Sequence, residues 1–195
     1  MRCLHIFLSL CLWTGSVSAH DGKTHAPVAD GEELETTVVE AELVRSDAPL
    51  LDQFGRATTL TDALGDGLVV LSFTYTNCES LCGLADMVLG ALLSHPARPD
   101  TLRILTLTLD PARDSPAELL KRHEAFGAPD GWLRLTGAPS VVIPLLSRNG
   151  VWDGGPIDEH SLVLIVGNAA SGTATRIEGR SIDIDRIVDL LVNAG

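Results

Sequence analysis

Leu68-Val69-Val70-Leu71-Ser72-Phe73-Thr74-Tyr75-Thr76-Asn77-Cys78-Glu79-Ser80-Leu81-Cys82 is the stretch on which the fold turns. Leu68 to Tyr75 is rich in β-branched, aliphatic and aromatic residues, the composition of a buried strand. From Ser80 to Leu93 the apolar residues Leu81, Leu84, Val88 and Leu92 recur at three- and four-residue steps, which predicts a helix closed by His95-Pro96. A buried strand therefore runs into a helix, with two cysteines at the join.

The alternation continues downstream. Leu102 to Leu109 (LRILTLTL) alternates as a second strand. Ser115 opens another helix as its cap, with Pro116 in the first turn and Glu118 three residues past the cap, and Gly127 ends it after Phe126. Trp132 to Leu135 reads as a short strand and Ala138 to Ser147 as a short helix in spite of Pro144. Ser161 to Val166 is a strand, Asn168 to Gly172 a turn, Thr173 to Glu178 its hairpin partner, and Asp183 to Val192 a closing amphipathic helix. Upstream, Asp52-Gln53-Phe54-Gly55-Arg56 joins two short strands, Gly55 supplying the positive φ of the turn. The order predicts an α/β domain with a central mixed sheet, helices on both faces and an N-terminal β-hairpin extension.

The chain has 195 residues, 45% hydrophobic and 21% charged, enough for one ordinary domain and a tail. Its formal net charge of -12 and 4% aromatic content argue against nucleic-acid binding, which rewards a basic face and stacking platforms. The first 19 residues read as a cleavable export signal. Arg2 is followed by an apolar run from Cys3 to Trp13, too short to span a bilayer, and small residues stand at Val17 and Ala19. A lipoprotein signal acylated at Cys11 is the weaker alternative, because Leu10 precedes it where a small residue is required. Residues 20–45 form an acidic flexible tail, with a strand near Thr36 to Leu43 and with His20 and His25 read as solvated, and 46–195 form the folded domain. Cleavage after Ala19 leaves Cys78 and Cys82 as the only cysteines of an exported, soluble chain.

Cysteines four apart at a helix start point the same way, and helix amides stabilise a thiolate there. Both sulfurs converge either on each other, as a disulfide, or on a soft metal ion such as Cu(I) or zinc. As a staple alone the bridge closes too small a loop to constrain the unfolded chain much. Three residues separate the cysteines, against two in thiol-disulfide oxidoreductases of the thioredoxin type. Candidate third ligands are His95, His123 and His160. His95 lies about 20 Å along the helix from Cys82. His123 follows Lys121 and Arg122 on an amphipathic helix and is expected to be solvated. His160 follows the Gly154-Gly155-Pro156 loop and precedes a buried strand, where loops gather at the edge of such a sheet. Asp110-Pro111-Ala112-Arg113-Asp114-Ser115-Pro116 ends the second strand and places charged groups at that same edge.

Phe73-Thr74-Tyr75-Thr76-Asn77 before Cys78-x-x-x-Cys82, then Leu109-Asp110-Pro111-x-Arg113-Asp114-Ser115-Pro116, then His160-Ser161 before an apolar strand, together resemble the Sco/SenC family. The similarity spans about Pro49 to Leu191. It implies an exported thioredoxin-like domain that binds copper and helps assemble the Cu-A centre of cytochrome c oxidase. The family's cysteine ligands fall on Cys78 and Cys82, its histidine ligand on His160, and the aspartate of its Asp-Pro motif on Asp110 as outer support. Glu79 and Gly83 stand where the family usually carries proline, and the cleavable leader replaces its common membrane anchor.

The expectation is a periplasmic copper chaperone holding one copper ion, as Cu(I) and also Cu(II), through Cys78, Cys82 and His160. Its partners would be the Cu-A subunit of cytochrome c oxidase or another copper protein, and other copper chaperones. The alternative is a thiol-disulfide oxidoreductase in which Cys78 and Cys82 are catalytic and reduce the partner's cysteines before metallation. A peroxidase would leave His160 and the cysteine pairing without a role.

Overall fold

A computed structural model describes residues 36–78, 81–152, 154–157 and 161–195. The expected signal peptide, the tail through residue 35 and His160 lie outside the described residues. Along the chain come β1 (Thr37–Glu42), β2 (Leu50–Asp52), β3 (Ala57–Thr58), α1 (Leu60–Leu64), β4 (Leu68–Thr74), α2 (Leu81–Leu93) and β5 (Arg103–Thr108). They are followed by α3 (Pro116–Ala125), β6 (Trp132–Thr136), α4 (Pro139–Arg148), β7 (Leu162–Asn168), β8 (Thr173–Gly179) and α5 (Ile184–Ala194).

The strands form one sheet in the order β1-β8-β7-β4-β5-β6-β2-β3. β4, β5 and β6 are parallel, joined through α2 and α3, while β7 runs antiparallel to β4 and β8 antiparallel to β7. This is the expected mixed sheet. The strand expected near Thr36 to Leu43 is β1, paired with β8 from Thr37 opposite Glu178 to Glu42 opposite Thr173. β2 and β3 form the expected hairpin around Gly55, whose φ is 76°. The helix α1 is an element that apolar periodicity did not mark. It has only five residues, and its signal is local: the hydroxyl of Thr59 accepts the amide of Asp62 at 3.0 Å.

The period of two along β4 divides the interior into two cores. Val69, Leu71 and Phe73 pack with Leu105, Leu107, Leu135, Val163 and Ile165 beneath α1 and α4. Leu68 and Val70 face the other way and pack with Ile104, Trp132, Leu164 and Val166 beneath α2 and α5. Every residue of β4 is buried, as its β-branched, aliphatic and aromatic content led one to expect. The helix α3 packs along β6, with the rings of Phe126 and Trp132 6.5 Å apart. Its start is as expected, the Ser115 hydroxyl accepting the Glu118 amide at 3.3 Å.

The position of His123 corrects the sequence reading. The imidazole is buried, not solvated, with the Phe54 ring edge-on at 6.1 Å. The hairpin that carries Phe54 closes over a helix face that the charged neighbours Lys121 and Arg122 had marked as outward. Burial, and then the charge of Arg134, hold its pKa below the ordinary 6.5, against a smaller pull upward from Glu124 and Asp130. Protonation is thus harder in the folded protein than in the unfolded chain. Stability is intact above pH 6.5 and falls as the pH drops below it. His123→Gln should flatten that part of the acid limb, so that the gap in melting temperature between wild type and variant narrows from pH 7 to pH 5. A constant gap would show that His123 does not sense the change.

Candidate metal centre

Three strands deliver their loops to one edge of the sheet. β4 ends at Thr74 and is followed by the cysteine segment, and β5 ends at Thr108 and is followed by the Asp110–Pro116 turn. The antiparallel β7 starts at that edge, since Leu164 faces Ser72 and Leu162 lies two positions further toward the end of β4. Opposite polarity brings the beginning of one strand beside the end of another.

Cys78 and Cys82 are both buried and joined as a disulfide, with their Cα atoms 5.7 Å apart. The backbone amide of Cys82, in the first turn of α2, donates to Cys78 Sγ at 3.3 Å. Such a donor stabilises extra electron density on sulfur, in a thiolate or a metal thiolate alike. The two soft donors therefore converge on one point, and their chemistry fits a thiophilic ion such as Cu(I). Among the described residues no group of three or more His, Cys, Asp or Glu side chains is placed to hold a metal. His95 takes no part: its Nε2 lies 3.2 Å from an Asp185 carboxylate oxygen at the far end of α2. His123 is enclosed beside Phe54. The loop that leads toward His160 is anchored by the Trp152 indole, which donates to the Gly155 carbonyl at 2.7 Å.

Two buried carboxylates hold the cysteine segment in place. Asp114 accepts the Thr76 amide at 3.2 Å and the Thr76 hydroxyl at 2.5 Å, and its other contact is the Thr108 hydroxyl at 2.5 Å. It ties the chain two residues before Cys78 to the end of β5. Asp110, which the sequence marked as outer support, pairs with the exposed Arg113 at 2.9 Å, and Thr108 Oγ1 accepts its amide at 2.9 Å. Among the described residues, Asp114 is the carboxylate of this motif that bonds to the cysteine segment. Asp110 and Asp114 both stand in the quoted motif, and the turn decides where each points.

The second carboxylate, Asp86, is wholly buried one turn past Cys82. Its oxygens meet Arg122 Nε at 2.6 Å and Arg134 Nη1 at 3.0 Å, and Arg122 Nη1 reaches toward the Thr76 carbonyl at 3.5 Å. The Arg134 guanidinium stacks over the Trp132 ring at 4.2 Å. Burial lowers its pKa from its usual value, while Asp86 opposes the shift. The sequence reading did not single out this network. Its one visible signal is that Asp86 is the only charged residue in the thirteen of α2.

Residues 38–147 match the SCO1/SenC family, more than half of the chain. The chain belongs to that family. Its fold is thioredoxin-like. Yeast Sco1, solved with copper bound, is 27% identical over 77% of this chain and 90% of its own, with a TM-score of 0.63. Arabidopsis thaliana ScoI, also solved with copper bound, is 19% identical over 78% of this chain and 98% of its own, with a TM-score of 0.65. BsSco, described as a member of the Sco family of cytochrome c oxidase assembly proteins with a disulfide switch, is 20% identical over 80% of this chain and 96% of its own, at a TM-score of 0.59. No curated protein matches the chain. Among the described residues no helix is long and apolar enough to cross a membrane.

The anchoring of this SCO1/SenC chain yields a direct test. Asp114→Ala strands three donors that now converge on one buried carboxylate, and should cost about 2–4 kcal/mol in urea denaturation. Amide exchange at Thr76 should accelerate more than the overall loss of stability accounts for. Unchanged exchange at Thr76 would show that Asp114 does not hold the cysteine segment.

Proposed function

We propose that this protein is an exported copper chaperone that takes one copper ion as cargo through Cys78, Cys82 and His160 and delivers it to the Cu-A centre of cytochrome c oxidase. The observation that carries the reading is the convergence of two sulfurs at a helix N-terminus, in a chain of the SCO1/SenC family. Copper bound to yeast Sco1, the relative with 27% identity, supports copper as the ion. The chain enters β7 two residues after His160, at the edge where the cysteines lie, which supports His160 as the third ligand. Two thiolates suit Cu(I), and an added imidazole suits Cu(II) as well. The leader with Val17 and Ala19 supports export to the periplasm as a soluble protein, where the Cu-A subunit, another copper protein or another copper chaperone is met.

The same sulfurs cannot hold copper and each other. Binding requires the Cys78–Cys82 disulfide to open by a two-electron reduction, with an external dithiol as donor that is itself left as a disulfide, and the two thiols formed release their protons to solvent as the metal binds. In the thiol-disulfide oxidoreductase alternative the reduced pair takes over a partner's disulfide, which leaves the partner's cysteines as thiols and Cys78–Cys82 bridged, and His160 has no part in it.

Metal analysis of the reduced protein should give one copper per chain. Cys78→Ser or Cys82→Ser should abolish tight binding, and mild oxidation should release copper as thiols disappear. His160→Ala should weaken copper binding by about 10- to 100-fold, most for Cu(II), and leave exchange with a small dithiol within a few-fold of wild type. Unchanged copper affinity with slowed exchange in that variant would favour the oxidoreductase.

A further inference from the structure

The cysteine pair has an electrostatic problem. Cu(I) held by two thiolates is an anion of charge -1, whereas Cu(II) held by the same pair is neutral. Two buried carboxylates stand close by: Asp86, one helical turn beyond Cys82, and Asp114, bonded to Thr76 two residues before Cys78. On their own both disfavour the anionic complex. Asp110 adds little, because Arg113 pairs with it at the surface.

Two guanidinium groups meet Asp86, and they are placed differently. Arg134, from β6, meets the Asp86 oxygen Oδ1 and lies against Trp132. Arg122, from α3, meets Oδ2 of Asp86 with Nε and reaches toward the Thr76 carbonyl with Nη1. Arg122 is thus the cation that spans both cysteine-bearing segments, the start of α2 and the end of the β4 loop. Its Nη2 is buried and has no hydrogen-bond acceptor among the described residues, so its charge is not fully taken up by Asp86.

We propose that Arg122 is a positioning residue that sets the valence preference of the cysteine site, its charge at Asp86 and Thr76 offsetting the buried negative charge so that the dithiolate accepts Cu(I) in preference to Cu(II). The inference rests on copper being the cargo of Cys78 and Cys82. Removing one unit charge on the order of 10 Å from the metal, at an effective dielectric of about 20, changes binding of an anionic complex by about tenfold. A neutral complex is unaffected to first order.

The test compares Arg122→Gln, Arg122→Lys and Asp86→Asn with wild type by competition against chromophoric Cu(I) and Cu(II) chelators. Arg122→Gln should weaken Cu(I) about tenfold and leave Cu(II) within about threefold. Arg122→Lys keeps the charge without the forked geometry and should stay within about threefold of wild type for both. Asp86→Asn removes a negative charge and should shift Cu(I) the other way, so the proposal remains testable if the Gln variant does not fold. Equal losses in the Gln and Lys variants, or Cu(I) shifts of the same sign in Arg122→Gln and Asp86→Asn, would overturn it. A copper-free readout separates this from the function itself. At equilibrium with glutathione, two glutathione thiols become one glutathione disulfide as the Cys78–Cys82 bond becomes a thiol and a thiolate, the remaining proton going to solvent, and the thiolate is the species that feels the Arg122 charge. Arg122→Gln should move that balance toward the protein disulfide, and Arg122→Lys should not. If wild type binds no copper, the chaperone reading fails, and the charge role stands or falls on the glutathione balance alone.

Discussion

Asp86 has no exposed surface, and each of its carboxylate oxygens meets a guanidinium from a different element. Removing those charges from water costs several kcal/mol per ion, which is offset only when the partners are well placed. Apart from Asp86, α2 carries no charge and packs through Ala85, Val88, Leu89 and Leu92. Apolar packing is non-directional and tolerates rotation of a helix about its axis. The ion pairs do not, because a turned helix would leave Asp86 buried and unpaired. They therefore fix the azimuth of α2, and with it the place of Cys82 one turn earlier.

Sheet polarity determines what meets Cys82. With β4, β5 and β6 parallel, their carboxyl ends share one edge, and the antiparallel β7 brings its beginning to it. Two loops distant in sequence become neighbours there, and Asp114 locks them by receiving donors from Thr76 and Thr108. The ring of contacts then closes through Arg122, which spans Asp86 and Thr76. Cysteine chemistry at this edge is supported by charges that come from α2, α3, β6 and the turn after β5. None of these charges is itself a soft ligand.

Much of the fold was legible because apolar period and turn chemistry are local. The buried run of β4, the stepped leucines of α2, the Ser115 cap and the β7–β8 hairpin all stand within a residue or two of where the pattern put them. The cysteine pair was legible for the same reason, the two residues being only four apart in sequence. His123 was not: its neighbours Lys121 and Arg122 mark a wet helix face, and burial comes from Phe54, some seventy positions earlier. Arg134 alternates in a strand with apolar neighbours and finds its partner 48 residues away. No local pattern reports on such a partner.

By itself the sequence determined the alternation of strands and helices, the convergence of Cys78 and Cys82, and the motif after β5, since each follows from residues within one or two turns of each other. Only the tertiary structure decided that Asp114 bonds to the cysteine segment, that His123 is enclosed, and that Asp86, Arg122 and Arg134 share one buried charge network. A charged side chain buries itself only where a distant partner offsets its desolvation, and which partner arrives depends on the order and direction of strands in the sheet.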